Sequence, residues 1–253
     1  MPLWLQAGLW GLVGGSALLI GAAIPFVATL SQRVIAAVMA LGSGVLISAV
    51  AFELMDEAFA RGGFDSTAIG FIAGAALYTA ANLYLSRRGA RHRKRSGFHS
   101  EQKQQDASEG SGAALAVGAL LDGIPESMVI GVSLLSGAHV SLVTVFAIFL
   151  SNIPEGLASA AGMRKAGRST RYIFGVWGGI AVISGLAALL GNVAFANTSP
   201  DVIAATTALA AGAILAMLSD TMIPEAFEET HDYAGLITVI GFLLAFVLSK
   251  SGG

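Results

Sequence analysis

The tripeptide Ile-Pro-Glu occurs three times in this sequence, each time inside a long apolar stretch, at residues 124–126, 153–155 and 223–225. Proline inside a helix removes a backbone hydrogen bond and leaves the carbonyl group four residues earlier without its donor. A carboxylate in a membrane helix costs roughly 2.5–3.5 kcal/mol on insertion scales. Three such pairs in apolar surroundings indicate that cations are handled inside a membrane.

The composition supports a membrane protein. Charged residues make up 12% and hydrophobic residues 55% of the 253 residues. Soluble domains carry about 25% charged residues, so most of this chain is expected to lie in lipid. There is no cysteine, which excludes disulfides and thiolate metal sites. The N-terminal residues lack a basic segment, so we expect a first membrane helix and not a cleaved signal peptide.

Long apolar stretches define the predicted architecture, because a helix needs about 20 apolar residues to cross a bilayer. We predict an all-α integral membrane protein with eight transmembrane helices in a 3+2+3 arrangement with inverted repeats, forming one polytopic domain over residues 1–253. The polar residues 87–111 are predicted to form a flexible cytoplasmic loop. The predicted spans one to eight cover about 7–30, 34–60, 66–86, 112–135, 139–163, 171–195, 201–228 and 233–251.

The positions of lysine and arginine predict the orientation in the membrane. Of the 14 basic residues, only Arg61 and Lys250 lie outside the loops that follow spans one, three, five and seven. The positive-inside rule places these loops in the cytoplasm and both termini on the opposite side of the membrane. The protein is expected to lie in the cell (inner) membrane. Because membrane topology accounts for the basic residues, no nucleic-acid partner is predicted.

The sequence also repeats internally. Gly44 and Glu57 in span two match Gly212 and Glu225 in span seven at one common offset, and a Gly-Phe pair in span three recurs in span eight. The corresponding spans are five apart, an odd number, and therefore run in opposite directions across the membrane. Inverted repeats of this kind are typical of transporters, whose binding site lies near the midplane where interrupted helices meet.

Spans four and five carry polar residues at helical spacing. Asp122 lies four residues before Glu126, while Ser151 and Asn152 lie four and three residues before Glu155. Since both spans have the same Ile-Pro-Glu core, we expect these side chains to converge at one depth. Close carboxylates repel one another unless a cation or protons lie among them. We predict a metal site here; the alternative is a pair of kinked helices with hydrogen-bonded, partly protonated acids.

Two further acidic groups lie nearer the ends of spans two and seven. Glu53, Asp56 and Glu57 form a candidate entrance, and Asp220 and Glu225 form a candidate exit. The inverted repeat places one group towards each membrane face, where carboxylates attract cations. The alternative for both groups is that they are solvated acids at helix ends.

The motifs of spans four and five, Asp122-Gly-Ile-Pro-Glu-Ser127 and Ser151-Asn-Ile-Pro-Glu-Gly156, resemble those of the ZIP (Zrt/Irt-like) family of divalent metal transporters, bacterial type. That family carries a His-Asn-x-Pro-Glu-Gly type motif on its fourth helix and a related motif on its fifth. The resemblance implies a homodimer with eight spans, outward termini and a long polar loop after span three. It also implies that spans one, four, five and six move against a scaffold formed by the others.

The resemblance implies that the chain moves a divalent metal ion, zinc or a related first-row metal, into the cytoplasm. The metal (Zn, Mn, Fe or Cd) is then a substrate, no prosthetic group is expected, and the protein is not an enzyme. The chain differs from the family motif at Asp122 and Ser151, which replace histidine, and at Gly123, which replaces asparagine. An oxygen-only ligand set suits Mn²⁺, Mg²⁺ or Fe²⁺ relatively better, whereas imidazole suits Zn²⁺.

Two alternative functions remain open at this stage. In a proton- or sodium-coupled carrier of an organic solute, the buried acids would form the coupling site. In an intramembrane hydrolase, carboxylates or a bound metal would activate water. The sequence lacks the His-Glu-x-x-His motif of zinc proteases.

Overall fold

The computed structural model describes residues 1–85, 110–137 and 142–251, and over these ranges the fold is helical, without a strand. The predicted loop over 87–111 lies almost entirely outside the described residues. A short 3-10 turn, His231–Tyr233, joins the last two helices. The helices are α1 (Leu3–Val27), α2 (Gln32–Ala49), α3 (Met55–Leu85), α4 (Gly110–Gly137), α5 (Leu142–Lys165), α6 (Thr170–Phe195), α7 (Pro200–Met217), α8 (Ile223–Thr230) and α9 (Ala234–Ser251).

Several helices are long and apolar enough to cross a membrane, in agreement with the predicted class of multi-pass membrane protein. Within the described residues there are five such stretches, and a shorter apolar helical stretch covers Gly123–Leu135 in α4. Two of the five are 53 and 52 residues long, well beyond one bilayer crossing. The five stretches are Leu3–Val27, Gln32–Tyr84, Thr144–Arg164, Thr170–Phe195 and Pro200–Ser251.

Each of the two longest stretches contains a break in its helical backbone. Gly63, inside α3, has φ of 65° and ψ of −164°, a conformation that glycine adopts without the steric penalty of a Cβ atom. His231, between α8 and α9, has φ of 42° and ψ of −114°. The chain therefore changes direction locally at one residue in each stretch.

Serine residues begin three of the helices. Ser31 Oγ accepts a hydrogen bond from the backbone N–H of Val34 at the start of α2, and Ser169 Oγ accepts one at the start of α6. Ser199 does the same for α7, with Pro200 as the first helical residue. Serine is a preferred N-cap because its oxygen satisfies an otherwise unpaired N–H group, and proline at the first position loses no hydrogen bond.

The helices pack in two groups. In the first group α1 lies against α4, α5 and α6, and in the second group α2 pairs with α9 and α3 with α7. The groups meet chiefly where α2 contacts α5 and α4 contacts α7. The largest buried apolar cluster lies mainly between α2 and α7 and includes Met39, Leu46 and Met217.

The α2–α9 and α7–α3 pairs are built alike. A methyl group at Gly44 of α2 would collide with the Thr238 carbonyl oxygen and come within 2.7 Å of the Phe242 backbone nitrogen on α9. A methyl group at Gly212 of α7 would collide with the Phe71 carbonyl oxygen on α3. Gly44 with Gly212, and Phe71 with Phe242, are positions that the internal sequence repeat matches. The repeat in sequence is therefore also a repeat in close backbone packing.

Both α2 and α7 end in a π-helical turn, a feature that the sequence patterns did not predict. The first π turn is Val50–Leu54 and the second is Leu218–Met222. The first begins six residues after Gly44 and the second six residues after Gly212, so the turns occupy matched positions. Such turns are rare and occur frequently at functional sites. Each carries one acid, Glu53 in the first and Asp220 in the second.

Candidate functional site

Pro154, in the middle of α5, is closely enclosed by α1 and α2. A methyl group at Gly42 of α2 would lie 2.8 Å from Pro154 Cγ, and one at Gly21 of α1 would collide with the Ile153 carbonyl oxygen. Gly156 in turn lies directly against the backbone of α1. A side chain at any of these glycines would push α5 away, so glycine is what permits this interrupted segment to be buried.

Gly14 of α1 lies between the two helices that carry the polar motifs. A methyl group there would lie 3.3 Å from Ile130 Cδ1 on α4 and 3.5 Å from Ile148 Cγ2 on α5. The carbonyl of Gly14 accepts a hydrogen bond of 3.0 Å from Asn152 Nδ2. Glu126 precedes Ile130 by four residues and Asn152 follows Ile148 by four, which is about one helical turn. The helices that carry the two motifs therefore contact the same residue of α1, about one turn from each glutamate or asparagine.

The hydrogen bond to Gly14 orients the side-chain amide of Asn152. Asn152 is 4% exposed, and within the described residues its Oδ1 atom accepts no hydrogen bond. Ser151 is completely buried and its hydroxyl donates to the Ile148 carbonyl at 2.9 Å, which leaves the lone pairs of Oγ as acceptors. An unsatisfied buried polar atom costs about 1–3 kcal/mol. The α5 segment therefore offers oxygen atoms with unused acceptor capacity in the interior.

Glu126 and Glu155 are both buried, at 1% and 4% exposure. A buried carboxylate needs positive charge, hydrogen-bond donors or a proton to compensate for the loss of water. The third predicted acid, Asp122, lies on α4, but its side chain is outside the described residues and its role stays a prediction. The α4 and α5 helices each bring one glutamate into the interior of the protein.

Among the described side chains, no group of three or more His, Asp or Glu residues is arranged to hold a metal ion. The predicted convergence of three carboxylates therefore stays a prediction, since it depends on Asp122. What the described residues provide is one buried carboxylate on each of two helices, an amide oxygen from Asn152 and a hydroxyl oxygen from Ser151. All of these atoms are hard oxygen ligands of the kind that Mg²⁺ and Mn²⁺ accept.

Within the described part of the chain, the candidate entrance residues make different contacts. Glu53, in the first π turn, is half-buried and accepts a hydrogen bond of 2.5 Å from Ser249 Oγ on α9. Asp56 is exposed in the first turn of α3. Glu57 pairs with Arg61 of the same helix, with 3.4 Å between Oε1 and Nε. Glu53 thus contacts α9, Asp56 is exposed, and Glu57 forms an ion pair within α3.

The candidate exit residues differ in burial. Asp220, in the second π turn, is exposed, and its Oδ2 accepts a 3.5 Å hydrogen bond from Asn82 Nδ2 on α3. Glu225, in the first turn of α8, is only 8% exposed. One of the two acids is therefore accessible from outside the helix bundle, while the other lies within it.

No protein-family model matches this sequence, and no curated protein matches it.

Sequence reasoning missed several polar and small residues near the candidate site. Ser184 on α6 is 4% exposed, and its Oγ would lie 3.7 Å from a methyl group at Gly123 in the α4 motif. Asn82 and Ser249 contact the acids of the two π turns. None of these residues has a distinctive local pattern, because their roles depend on contacts between helices that are distant in sequence. Gly14 carried a signal in its glycine-rich surroundings, but its partner could not be inferred.

Proposed function

We propose that this chain is a membrane transporter that moves a divalent metal ion into the cytoplasm through a carboxylate-lined site on α4 and α5. The observation that carries the proposal is the buried Oδ1 atom of Asn152. It is held in place by the Gly14 hydrogen bond and, among the described residues, accepts no hydrogen bond itself. Glu155 lies three residues further along the same helix. We propose that a cation binds to Asn152 Oδ1 together with the carboxylate of Glu155.

The donor atoms suggest the kind of ion. Glu126, Glu155, Asn152 and Ser151 offer only oxygen, and Pro154 removes the helical hydrogen bond to the Leu150 carbonyl, a further oxygen. Carboxylate and carbonyl oxygens suit Mg²⁺ and Mn²⁺, whereas imidazole and thiolate suit Zn²⁺ and softer ions. The preferred substrate is therefore a divalent ion that favours oxygen ligands, with Mn²⁺ or Mg²⁺ ahead of Zn²⁺.

The proposal includes eight spans in a 3+2+3 arrangement with inverted repeats. Dividing the two longest apolar stretches at Gly63 and His231 and adding α4 to the five stretches makes eight spans. The matched π turns and the matched glycine contacts of α2–α9 and α7–α3 support the repeat. In transporters of this design the substrate site lies near the midplane, where helices lack backbone hydrogen bonds. Pro125 in α4 and Pro154 in α5 each remove one such bond from an otherwise continuous helix.

The two packing groups suggest how the ion is moved. The group of α1, α4, α5 and α6 holds the candidate site and would move as a unit, while α2, α3 and α7–α9 would form the scaffold of a homodimer. With both termini outside the cytoplasm and the protein in the inner membrane, the first π turn lies on the entrance side and the second on the exit side. Transport then consists of exposing one site alternately to the two sides.

The test is metal uptake into proteoliposomes, measured side by side for Mn²⁺, Fe²⁺, Zn²⁺, Cd²⁺ and Mg²⁺. We expect saturable uptake by the native chain and a loss of about 100-fold or more in Glu126→Gln and in Glu155→Gln, because even groups that only support metal ligands cost about 10–100-fold. Asp65→Asn is the control, since Asp65 is an exposed acid on α3 outside the proposed path.

Native rates in both glutamine variants would contradict the proposed site. Absence of uptake of every metal by folded native protein would contradict the proposed function. In that case, proton flux that depends on an added organic solute would support the solute-carrier alternative.

A further inference from the structure

The C-terminal end of α9 places a lysine over aromatic rings of the first π turn. Lys250 Nζ lies 5.5 Å from the centre of the Phe52 ring and 5.9 Å from that of Phe246. The rings of Phe52 and Phe246 are 4.9 Å apart, and Phe242 lies 5.8 Å from Phe52. A cation within about 6 Å of an aromatic ring is attracted by the ring's negative face. The ammonium group is thus held in a defined position on this turn.

The residues on either side of this contact interact as well. Ser249, next to Lys250, donates its hydroxyl hydrogen to Glu53 Oε1, and Glu53 is next to Phe52. Two consecutive residues of α9 therefore bind two consecutive residues of the first π turn. Lys250 therefore lies over Phe52, the residue that precedes the half-buried Glu53.

The placement of basic residues along the chain supports a specific role for this charge. Arg61 and Lys250 are the two basic residues that lie outside the predicted cytoplasmic loops. The structure places both beside acids of the candidate entrance, since Arg61 pairs with Glu57 and Lys250 lies on the turn that carries Glu53. Each exception to the positive-inside pattern is therefore next to an entrance carboxylate.

We propose that Lys250 is a tethered cation that competes with incoming metal ions at Glu53 and so raises the metal concentration needed for uptake. The ammonium charge offsets the negative potential of Glu53 and the nearby exposed Asp56. A divalent ion that binds Glu53 competes with the Ser249 hydroxyl for Oε1 and works against the charge of Lys250. This inference rests on the proposed function, in which the first π turn lies on the entrance side.

Among the described residues, the second π turn has a different kind of partner. There Asp220 accepts a hydrogen bond from the neutral amide of Asn82. A neutral donor orients a carboxylate without cancelling its charge. Among the described residues, a cation thus lies over the first π turn and a neutral amide contacts the second.

The first experiment measures uptake rate against Mn²⁺ concentration for the native chain, Lys250→Gln and Lys250→Arg. We expect Lys250→Gln to lower the half-saturating concentration about threefold with a similar maximal rate, a size typical of an exposed charge interaction. Lys250→Arg keeps the charge and is expected to resemble the native chain. An unchanged half-saturating concentration in Lys250→Gln would overturn the proposal, and so would equal shifts in both variants, which would indicate a packing role.

The second experiment does not depend on transport. Because the chain contains no cysteine, Ala51→Cys places a single thiol in the first π turn. We expect adding Lys250→Gln to accelerate its modification by a positively charged methanethiosulfonate about threefold relative to a neutral one. An unchanged ratio would overturn the competing-cation role. A raised ratio with no metal uptake by the native chain would support the role of Lys250 while the proposed transport function fails.

Discussion

The two π turns and the helices around them are alike in backbone arrangement but differ in charge. Gly44 and Gly212 both admit the backbone of a neighbouring helix, and a π turn begins six residues after each. Beyond the turns, Glu57 is followed four residues later by Arg61, whereas Glu225 is followed four residues later by Glu229. Close packing is therefore preserved between the two regions, while the charges near the turns are specific to each side.

The difference in charge has a structural counterpart in burial. Glu57 is about a quarter exposed and forms an ion pair with Arg61, whereas Glu225 is 8% exposed. An acid four residues from another acid on a helix raises the local negative potential. Under the proposed function, we expect the Glu225–Glu229 pair to attract a cation locally, whereas Arg61 offsets the charge of Glu57.

The helices that flank the centre show where the repeat ends. Gly14 of α1 and Gly178 of α6 hold the same place in two Gly-x-x-Gly-Gly segments, at 11–15 and 175–179. Gly14 contacts Ile130 on α4 and Ile148 on α5, while a methyl group at Gly178 would have no described atom within 4 Å. The same sequence pattern is therefore used for close packing in α1 and left open at Gly178 in α6. A match in sequence does not by itself imply a match in contacts.

The largest expected effect tests whether the two regions are equivalent in packing. Gly44→Ala and Gly212→Ala each place a methyl group against a backbone carbonyl that cannot rotate away, so we expect each to destabilise the fold by about 1–3 kcal/mol or more. Thermal unfolding in detergent, followed by size-exclusion chromatography, measures the change. Gly178→Ala is the matched control and is expected to be neutral or stabilising, since alanine is the better helix former. Destabilisation by only one of the first two variants would show that the regions pack differently.

An intermediate effect tests the difference in charge. We expect Glu225→Gln to lower metal uptake about tenfold, because it removes a buried charge beside Glu229, and Glu57→Gln to change it about twofold or less, because Arg61 already offsets that charge. Initial uptake rates in proteoliposomes measure both. Equal losses in the two variants would mean that the acids contribute alike and that the ion pair with Arg61 is of no consequence for the ion path.

The smallest effect tests the partners of the two π turns. Ser249→Ala removes a short hydrogen bond to the half-buried Glu53 and is expected to cost about 1 kcal/mol, whereas Asn82→Ala removes a long, exposed one to Asp220 and is expected to cost less than about 0.5 kcal/mol. Denaturant or thermal unfolding of the two variants measures this. A larger loss in Asn82→Ala would reverse the order and show that the second turn depends more on its partner.

Part of the fold and of the site could be predicted from the sequence. The helical, multi-pass class follows from charge content and the length of apolar stretches, and the structure agrees with it. Glu126, Asn152 and Glu155 were singled out by helical spacing around proline, and all three are buried. The π turns, the Gly14 hydrogen bond and the contact between α9 and Glu53 could not be predicted. Helices that are apolar on every side carry no periodic signal that distinguishes a face towards lipid from a face towards a neighbour.

The sequence by itself determined that this chain forms helices long and apolar enough to cross a membrane, because an apolar chain in lipid has to satisfy its backbone hydrogen bonds within each helix. It also determined which oxygen-bearing residues are available to bind an ion. Only the tertiary structure decided which of those groups are buried, paired or open. Glu57 meets Arg61, Glu53 meets Ser249, and Asn152 is oriented by Gly14. The physical reason is that burial and most pairing depend on contacts between distant helices, made where glycine allows two backbones to approach.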